Sequence, residues 1–221
     1  MFDVNKVLDA LQNDPNARRT AMAGGGGLAA GFAASMLMGK KGRKMMGKAA
    51  KYGAVAAVGG LAYHAWRRSQ ERRGGDATPS DAPLPADYEA APENSAFLPA
   101  PSAQAEQDAL GKAVVRAMIA AAKADGKIDA DEKARIFERL NAMELDADAK
   151  AFVFDELNAP LDLNAVVDAA DSPEHAAEIY AASLVAIEAD TPAEQAYLQM
   201  LAARLELAPE LVEEIHAAAD G

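Results

Sequence analysis

The chain has 221 residues, no cysteine, only 5% aromatic residues and a formal net charge of −12. The lack of cysteine excludes disulfides, thiolate metal sites and cysteine nucleophiles. The acidic charge argues against general nucleic-acid binding, which requires a basic face. Abundant alanine favours helices that pack through small side chains.

The charge is divided sharply along the chain. Residues 1–75 contain 13 Lys and Arg against 4 Asp and Glu, a net charge of +9, whereas residues 76–221 contain 9 against 30, a net charge of −21. Such a division indicates two regions with different partners. We predict a basic Gly/Ala-rich segment over 1–73, a linker over 74–103 and an acidic helical domain over 104–221.

The basic segment contains two uncharged runs flanked by lysines and arginines. Residues 20–39 are long enough to span a bilayer, and small residues recur there every four positions, as in close-packed membrane helices. The second run, 52–66, has tyrosine and tryptophan at its ends, which is typical of a membrane interface. We predict a helical segment that associates with the bilayer or with anionic lipid through residues 18–73. One span at 20–39, a hairpin of both runs and peripheral attachment remain open.

The distribution of positive charge predicts the sidedness of the protein. If 20–39 is the only span, ten positive residues follow it and three precede it, which positions the C-terminal domain in the cytoplasm. Three acids among the first 19 residues argue against a signal peptide. The ridge of small residues also favours a homo-oligomer.

Residues 74–103 hold six of the 11 prolines and scattered acids, without hydrophobic periodicity. This composition buries too little apolar surface to offset the ordering of the backbone, and it predicts an extended, mobile linker. A docking motif around Phe97 and Leu98 is the functional alternative.

From residue 104 the apolar residues follow the helical period, and we predict an all-α bundle of about seven helices. The period is clearest at Leu110, Ala113, Val114, Ala117, Met118 and Ala121, at Ile136, Phe137, Leu140 and Met143, and at Leu198, Leu201, Ala202 and Leu205. Helix starts are predicted by Asp129 with Glu132, by Ser172-Pro173 and by Thr191 with Glu194.

The acidic domain contains a weak internal duplication, in which residues 117–153 match residues 182–215 after a three-residue deletion. In each unit an apolar helix ends in Ala-Asp, at Asp125 and Asp190. A glutamate follows in the first turn of the next helix, at Glu132 and Glu194.

Two interpretations of these acids remain open. Helix capping explains Asp129, Glu132 and Glu194, and it needs no ligand. Acids at helix C-termini are mildly unfavourable, however, so Asp125 and Asp190 also indicate a cation site. Oxygen ligands without histidine or cysteine would suit Ca²⁺, Mg²⁺ or Mn²⁺, although the spacing is not that of an EF-hand.

The segment AAKADGKIDADEKARI, together with Asp190 and Glu194, resembles the TerB-type helical domain named for bacterial tellurite resistance. The order of the three regions resembles that of YebE-like bacterial inner-membrane proteins. The resemblance implies an all-α domain of about seven helices that binds or senses a divalent cation. The implied metal ligands are Asp125, Glu132, Asp190 and Glu194, with Asp129 and Asp131 as helpers. The second half lacks the Gly-x-Ile turn, which argues against a two-fold symmetric site.

We therefore predict a non-enzymatic inner-membrane protein whose cytoplasmic domain binds a divalent cation, an unknown partner protein or both, in envelope stress or metal response. The alternative is a pure protein-interaction module in which the acids only cap helices. An enzyme is not expected, because no nucleophile, general base or phosphate-binding loop accompanies the carboxylates.

Overall fold

The computed structural model describes residues 54–73, 91–100, 102–126, 147–187 and 189–220. The predicted span at 20–39 and the predicted helix start at Asp129 lie outside these ranges. The described residues contain seven helices and no strand, which confirms the all-α fold class. The helices are α1 (Ala54–Arg73), α2 (Gln104–Ala122), α3 (Ala147–Asn158), α4 (Leu163–Val167), α5 (Pro173–Ala186), α6 (Pro192–Arg204) and α7 (Pro209–Asp220).

Helix α5 is the centre of the fold. Every residue from 176 to 186 is buried, and the helix contacts α1, α2, α6 and α7. A helix that is apolar nearly all round is expected to be enclosed on all sides. Its alanines leave room for neighbouring helices to approach closely. The predicted face of α2 is also buried, from Leu110 to Ala121, and it packs against α5.

The helix starts predicted from sequence are confirmed where the structure describes them. The Ser172 hydroxyl accepts a hydrogen bond from the backbone N–H of His175 at 3.1 Å, and Pro173 is the first residue of α5. Thr191 and Glu194 form a complete capping box at the start of α6. Each cap satisfies backbone donors that the helix leaves without an internal partner.

The bounds of the helices agree with the predicted duplication. Helices α3 and α7 are both 12 residues long, and they begin 62 residues apart, at Ala147 and Pro209. The predicted match has the same interval between Glu132 and Glu194. Helix α3 packs on α2, and α7 packs on α5, so the helix that ends each unit contacts the helix that begins it.

Helix α1, which contains most of the second apolar run, belongs to the core of this domain. Val58, Leu61, Ala62 and Ala65 are all buried, and the helix packs against α5 and α7. Among the described residues, no helix has both the length and the apolar character needed to cross a bilayer. The apolar face of α1 is thus covered by protein.

Residues 91–100, which the sequence analysis assigned to the linker, also lie against α1. Phe97 is 4% exposed, and its ring makes edge-on contacts with Tyr63 and Trp66 at centroid distances of 5.7 and 6.2 Å. The aromatic residues that resembled membrane anchors therefore contact an aromatic side chain of the same chain. Aromatic burial of this kind explains how a Pro-rich stretch becomes ordered.

The close approach of α1 to its neighbours depends on Gly59. A Cβ atom at this residue would lie 2.5 Å from the carbonyl oxygen of Phe97 and 2.6 Å from Oε1 of Glu178. Both distances are far shorter than van der Waals contact. The oxygen of Phe97 is part of the backbone, so it cannot move aside as a flexible side chain would.

Replacement of Gly59 by alanine is expected to lower the free energy of unfolding by about 1–3 kcal/mol, because the added methyl group overpacks the contact. An undocked helix would instead gain about 1 kcal/mol from the better helix propensity of alanine. Thermal or urea unfolding of the full chain shows whether the substitution lowers or raises the free energy of unfolding. Gln70→Ala, at an exposed residue of the same helix, is the control and should change stability little.

Candidate functional site

The two acids that follow the matched helices lie in turns of different shape. Asp125 is half-buried and precedes Gly126, whose φ of 74° is the left-handed conformation that glycine favours. Asp190 is exposed and follows Ala189, which has a φ of 55°. The left-handed residue therefore comes after the acid in the first unit and before it in the second, so the two turns are not copies of each other.

The carboxylate of Glu194 makes the hydrogen bonds of a helix cap. Its Oε2 accepts hydrogen bonds from the backbone N–H of Thr191 at 3.1 Å and from the Thr191 hydroxyl at 2.8 Å. The Thr191 hydroxyl accepts one from the backbone N–H of Glu194 at 3.2 Å. These bonds support the capping interpretation for Glu194 and engage one of its two carboxylate oxygens.

The structure describes only part of the predicted metal-ligand set. Asp190 directly precedes the capping residue Thr191, and Glu194 is in the first turn of α6, while Asp129, Asp131 and Glu132 are outside the described residues. Across the ranges that the structure describes, no three His, Cys, Asp or Glu side chains form a group that could hold a metal ion.

A cluster of acids that the sequence analysis did not select lies on α7 and faces the arginines of α1. We call these residues the α1–α7 charge cluster: Arg68, Arg72 and Arg73 on α1, with Glu210, Glu213 and Glu214 on α7. On each helix the paired residues lie about one turn apart, so the pairs form along the sides of α1 and α7 that face each other.

Glu214 is the centre of the charge cluster, because its side chain is only 2% exposed. Its Oε1 lies 2.7 Å from Nη2 of Arg72, and its Oε2 lies 3.5 Å from Nε of Arg68. The outer pairs are longer: Arg72 to Glu213 and Arg73 to Glu210 are both 3.9 Å. Arginine suits the inner position, since its guanidinium can contact a carboxylate with several donors and keeps its charge when partly buried.

One signal in the sequence could have located this cluster. The basic half of the chain ends in Arg67, Arg68, Arg72 and Arg73, and α7 begins with three glutamates at helical spacing. We interpreted the opposite charges of the two halves as evidence of different partners. In the structure, three of these arginines pair with the acidic half of the same chain.

Glu178, on the central helix α5, is a second feature that the sequence analysis missed. Its side chain is fully buried, and within the described part of the chain neither carboxylate oxygen has a hydrogen-bond partner. Burial raises the pKa of this carboxyl well above its ordinary value of 4.5. The group faces Gly59 of α1, close to the carbonyl oxygen of Phe97. A glutamate within a helix is usually exposed, but Glu178 lies within an apolar run from 176 to 187, and that context was the available signal of burial.

Two clefts open on the described surface. One of about 550 Å³ lies between the C-terminal half of α1, the start of α5 and the loop before α7. The other, of about 630 Å³, lies among α5, α6 and α7 and is lined mainly by apolar side chains, including Leu198 and Val212. At its edge the Tyr180 hydroxyl and Nε2 of His216 share a hydrogen bond of 2.9 Å. Burial raises the pKa of Tyr180 to about 12, so the hydroxyl stays neutral at physiological pH.

Substitutions at Glu214 and Glu210 should show that the inner charge pairs stabilise the fold more than the outer pairs do. We expect Glu214→Gln to cost about 1.5–3 kcal/mol of unfolding free energy, because the buried side chain loses the charge that pairs with Arg68 and Arg72. We expect Glu210→Gln to cost less than about 1 kcal/mol, since that pair is half-exposed. Urea unfolding of both variants measures the difference, and equal effects would contradict the assigned roles.

Comparisons with known proteins identify a family for the chain. No curated protein and no solved structure is significantly similar to it. Residues 22–219 match the family described as "Protein of unknown function (DUF533)", and this range includes every described helix except the last residue of α7. DUF533 is a TerB-like family, which agrees with the resemblance of the acidic domain to TerB-type domains. The chain therefore belongs to the DUF533 family.

Proposed function

We propose that this chain is a non-catalytic, membrane-associated protein whose acidic helical domain binds a partner protein. The observation that supports the proposal is the way in which the domain holds α1. An apolar helix with arginines at one end packs on α5, and its arginines pair with the glutamates of α7. A surface built this way matches the chemistry of helix-in-groove recognition, in which apolar anchors give affinity and charges give orientation.

Membrane attachment is assigned to the residues before α1. Arg68, Arg72 and Arg73 pair with α7, so they are less available to lipid headgroups. The uncharged run 20–39 and the six lysines and arginines from 40 to 51 then supply the span or the lipid contact. We propose a YebE-like location at the bacterial inner membrane, with the helical domain in the cytoplasm and homo-oligomers formed through the small-residue ridge.

Fractionation of cells that express the full chain tests this location. The protein should stay in the membrane pellet after a carbonate wash, and protease added outside spheroplasts should leave residues 104–221 intact. A variant that begins at residue 52 is the control and should become soluble. Recovery of the full chain in the soluble fraction, or digestion of the domain from outside, would refute the proposed location.

A catalytic role is not proposed, because the described polar clusters have structural partners. The most enzyme-like group is Asp171, Ser172 and His175, in which the His175 ring is hydrogen-bonded to Asp171. The Ser172 hydroxyl oxygen accepts a hydrogen bond from the backbone N–H of His175 and caps α5. This arrangement explains the cap without assigning the serine a nucleophilic role.

Divalent-cation binding is the second candidate function, and the placement of Asp125 and Asp190 favours it. Both acids come shortly after equivalent helices, 65 residues apart in sequence, and the cap of α6 is Thr191, so capping does not account for Asp190. The cation would be Ca²⁺, Mg²⁺ or Mn²⁺, bound by oxygen ligands that include Glu132 and Glu194, with Asp129 as a further candidate ligand. By neutralising these carboxylates it would change the packing of the helices around α5.

Titration calorimetry on the full chain with each of the three ions tests the second candidate. Metal binding predicts heat of binding and a rise in Tm at millimolar ion concentration, with both effects lost in the Asp125→Asn, Asp190→Asn double variant. Asp148→Asn, at an exposed acid of α3, is the control and should behave like the parent protein. No heat and no change in Tm would exclude the cation and leave the acids as caps.

Capture of a partner protein then separates the two candidates. Crosslinking in cells should give the same adduct for the parent chain and for a variant with alanine at Asp125, Glu132, Asp190 and Glu194, if the acids only cap helices. Loss of the adduct in that variant, with the fold intact, would instead tie partner binding to the metal ligands.

A further inference from the structure

Burial of the Glu178 carboxyl is unusual because nothing compensates for it. Its side chain is 0% exposed, and both oxygens lack a hydrogen-bond partner among the described residues. An ionised carboxylate in such a position would carry a large desolvation cost, so the docked state favours the protonated form. The proposed protein-binding and membrane functions do not use this group.

The carboxyl of Glu178 lies next to α1, and none of the functions proposed above uses it. Its Oε1 lies beside Gly59 of α1, and the carbonyl oxygen of Phe97 approaches the same point. Helix α1 and residues 91–100 therefore cover the carboxyl together. Departure of these two elements would expose it to water and remove the cost of ionisation.

We propose that Glu178 is a proton-dependent latch for α1: the helix stays docked on α5 while the carboxyl is protonated and is released when the carboxyl ionises. The released helix would leave the glutamates of α7 open to a basic partner. Release would also free the arginines of α1 for anionic lipid. The latch thus adds regulation to the groove that holds α1, and it does not depend on a cation site.

The charged and titratable groups on the neighbouring elements are engaged in other contacts. On α1 and α7, Arg68 and Arg72 pair with Glu214, and His216 bonds to Tyr180. On α2, Arg116 pairs with Glu156 of α3 at 2.6 Å, and Lys112 lies over the ring of Phe152. On α6, burial raises the pKa of Tyr197 to about 12, so it stays neutral, while Glu194 completes its cap. On α1, His64 makes an edge-on ring contact with Tyr63, and on α5, His175 pairs with Asp171.

The sign of the pH dependence follows from the direction of the shift. Burial raises the pKa of Glu178 in the docked state above its value in the released state. The carboxyl therefore contributes stability to docking at low pH, and the contribution is lost as the pH rises through the raised pKa. Higher pH favours release of α1.

Fluorescence and thermal unfolding of the full chain between about pH 4 and about pH 9 test the latch. Trp66 is the only tryptophan, and it lies on α1 beside Phe97, so its emission reports docking. In the parent protein the emission should move to longer wavelength as the pH rises. In Glu178→Gln the emission should change little, and its Tm should exceed that of the parent by a margin that grows with pH.

Two control variants isolate the carboxyl. Glu156→Gln removes a half-buried carboxylate of α3, a helix that packs on α2, and His64→Gln removes the histidine of α1; both should keep the parental pH profile. If Glu178→Gln fails to fold, Glu178→Leu replaces it as a side chain of similar size without an ionisable group.

A pH profile that the Glu178 variants share with the parent would overturn the proposal, as would the absence of any transition in the parent. Failure of both variants to fold at every pH would also overturn it, because the carboxyl would then be a structural requirement.

This outcome is independent of the partner-binding proposal. A flat pH profile with an intact crosslinked adduct would reject the latch alone, whereas loss of the adduct with a normal pH profile would reject partner binding alone.

Discussion

The packing of α1 into the groove between α5 and α7 is the interaction on which the rest of the structure depends. It buries Val58, Leu61, Ala62 and Ala65 and orders the segment around Phe97 through ring contacts. It also neutralises a buried glutamate of α7 with two arginines. The helix is remote in sequence from both of its neighbours, yet it completes their core. Its docking therefore connects the basic and acidic halves of the chain.

Two opposing terms set the strength of this docking. Apolar burial and the arginine pairs of Glu214 favour it, since removing the helix would expose apolar side chains and leave buried charge without partners. The buried carboxyl of Glu178 opposes it whenever that group is ionised. A contact balanced in this way responds to a change in protonation or to a competing helix, which a purely apolar contact would not.

The sequence predicted the local features of the fold well, because those features depend on neighbours along the chain. The buried face of α2 and the caps at Ser172 and Thr191 follow from short-range rules, and the matched 62-residue interval follows from the internal duplication.

The position of α1 could not be predicted, because an apolar helix with aromatic ends has the same pattern whether lipid or protein covers it. Phe97 gave no periodic signal within a Pro-rich stretch. The apolar run around Glu178 indicates that its helix is enclosed, but which groups surround the carboxyl depends on helices that are distant in sequence. Of the candidate site, the capping role of Glu194 was accessible from sequence, whereas the charge cluster required the tertiary arrangement.

Hydrogen exchange of the full chain tests most directly whether α1 is part of the helical domain. If α1 completes the core, amides from 61 to 69 should be protected as strongly as those of α7 from 211 to 219, and both should open in one cooperative step. Rapid exchange across 61–69 while α7 stays protected would show that α1 is not part of the core and would contradict the account.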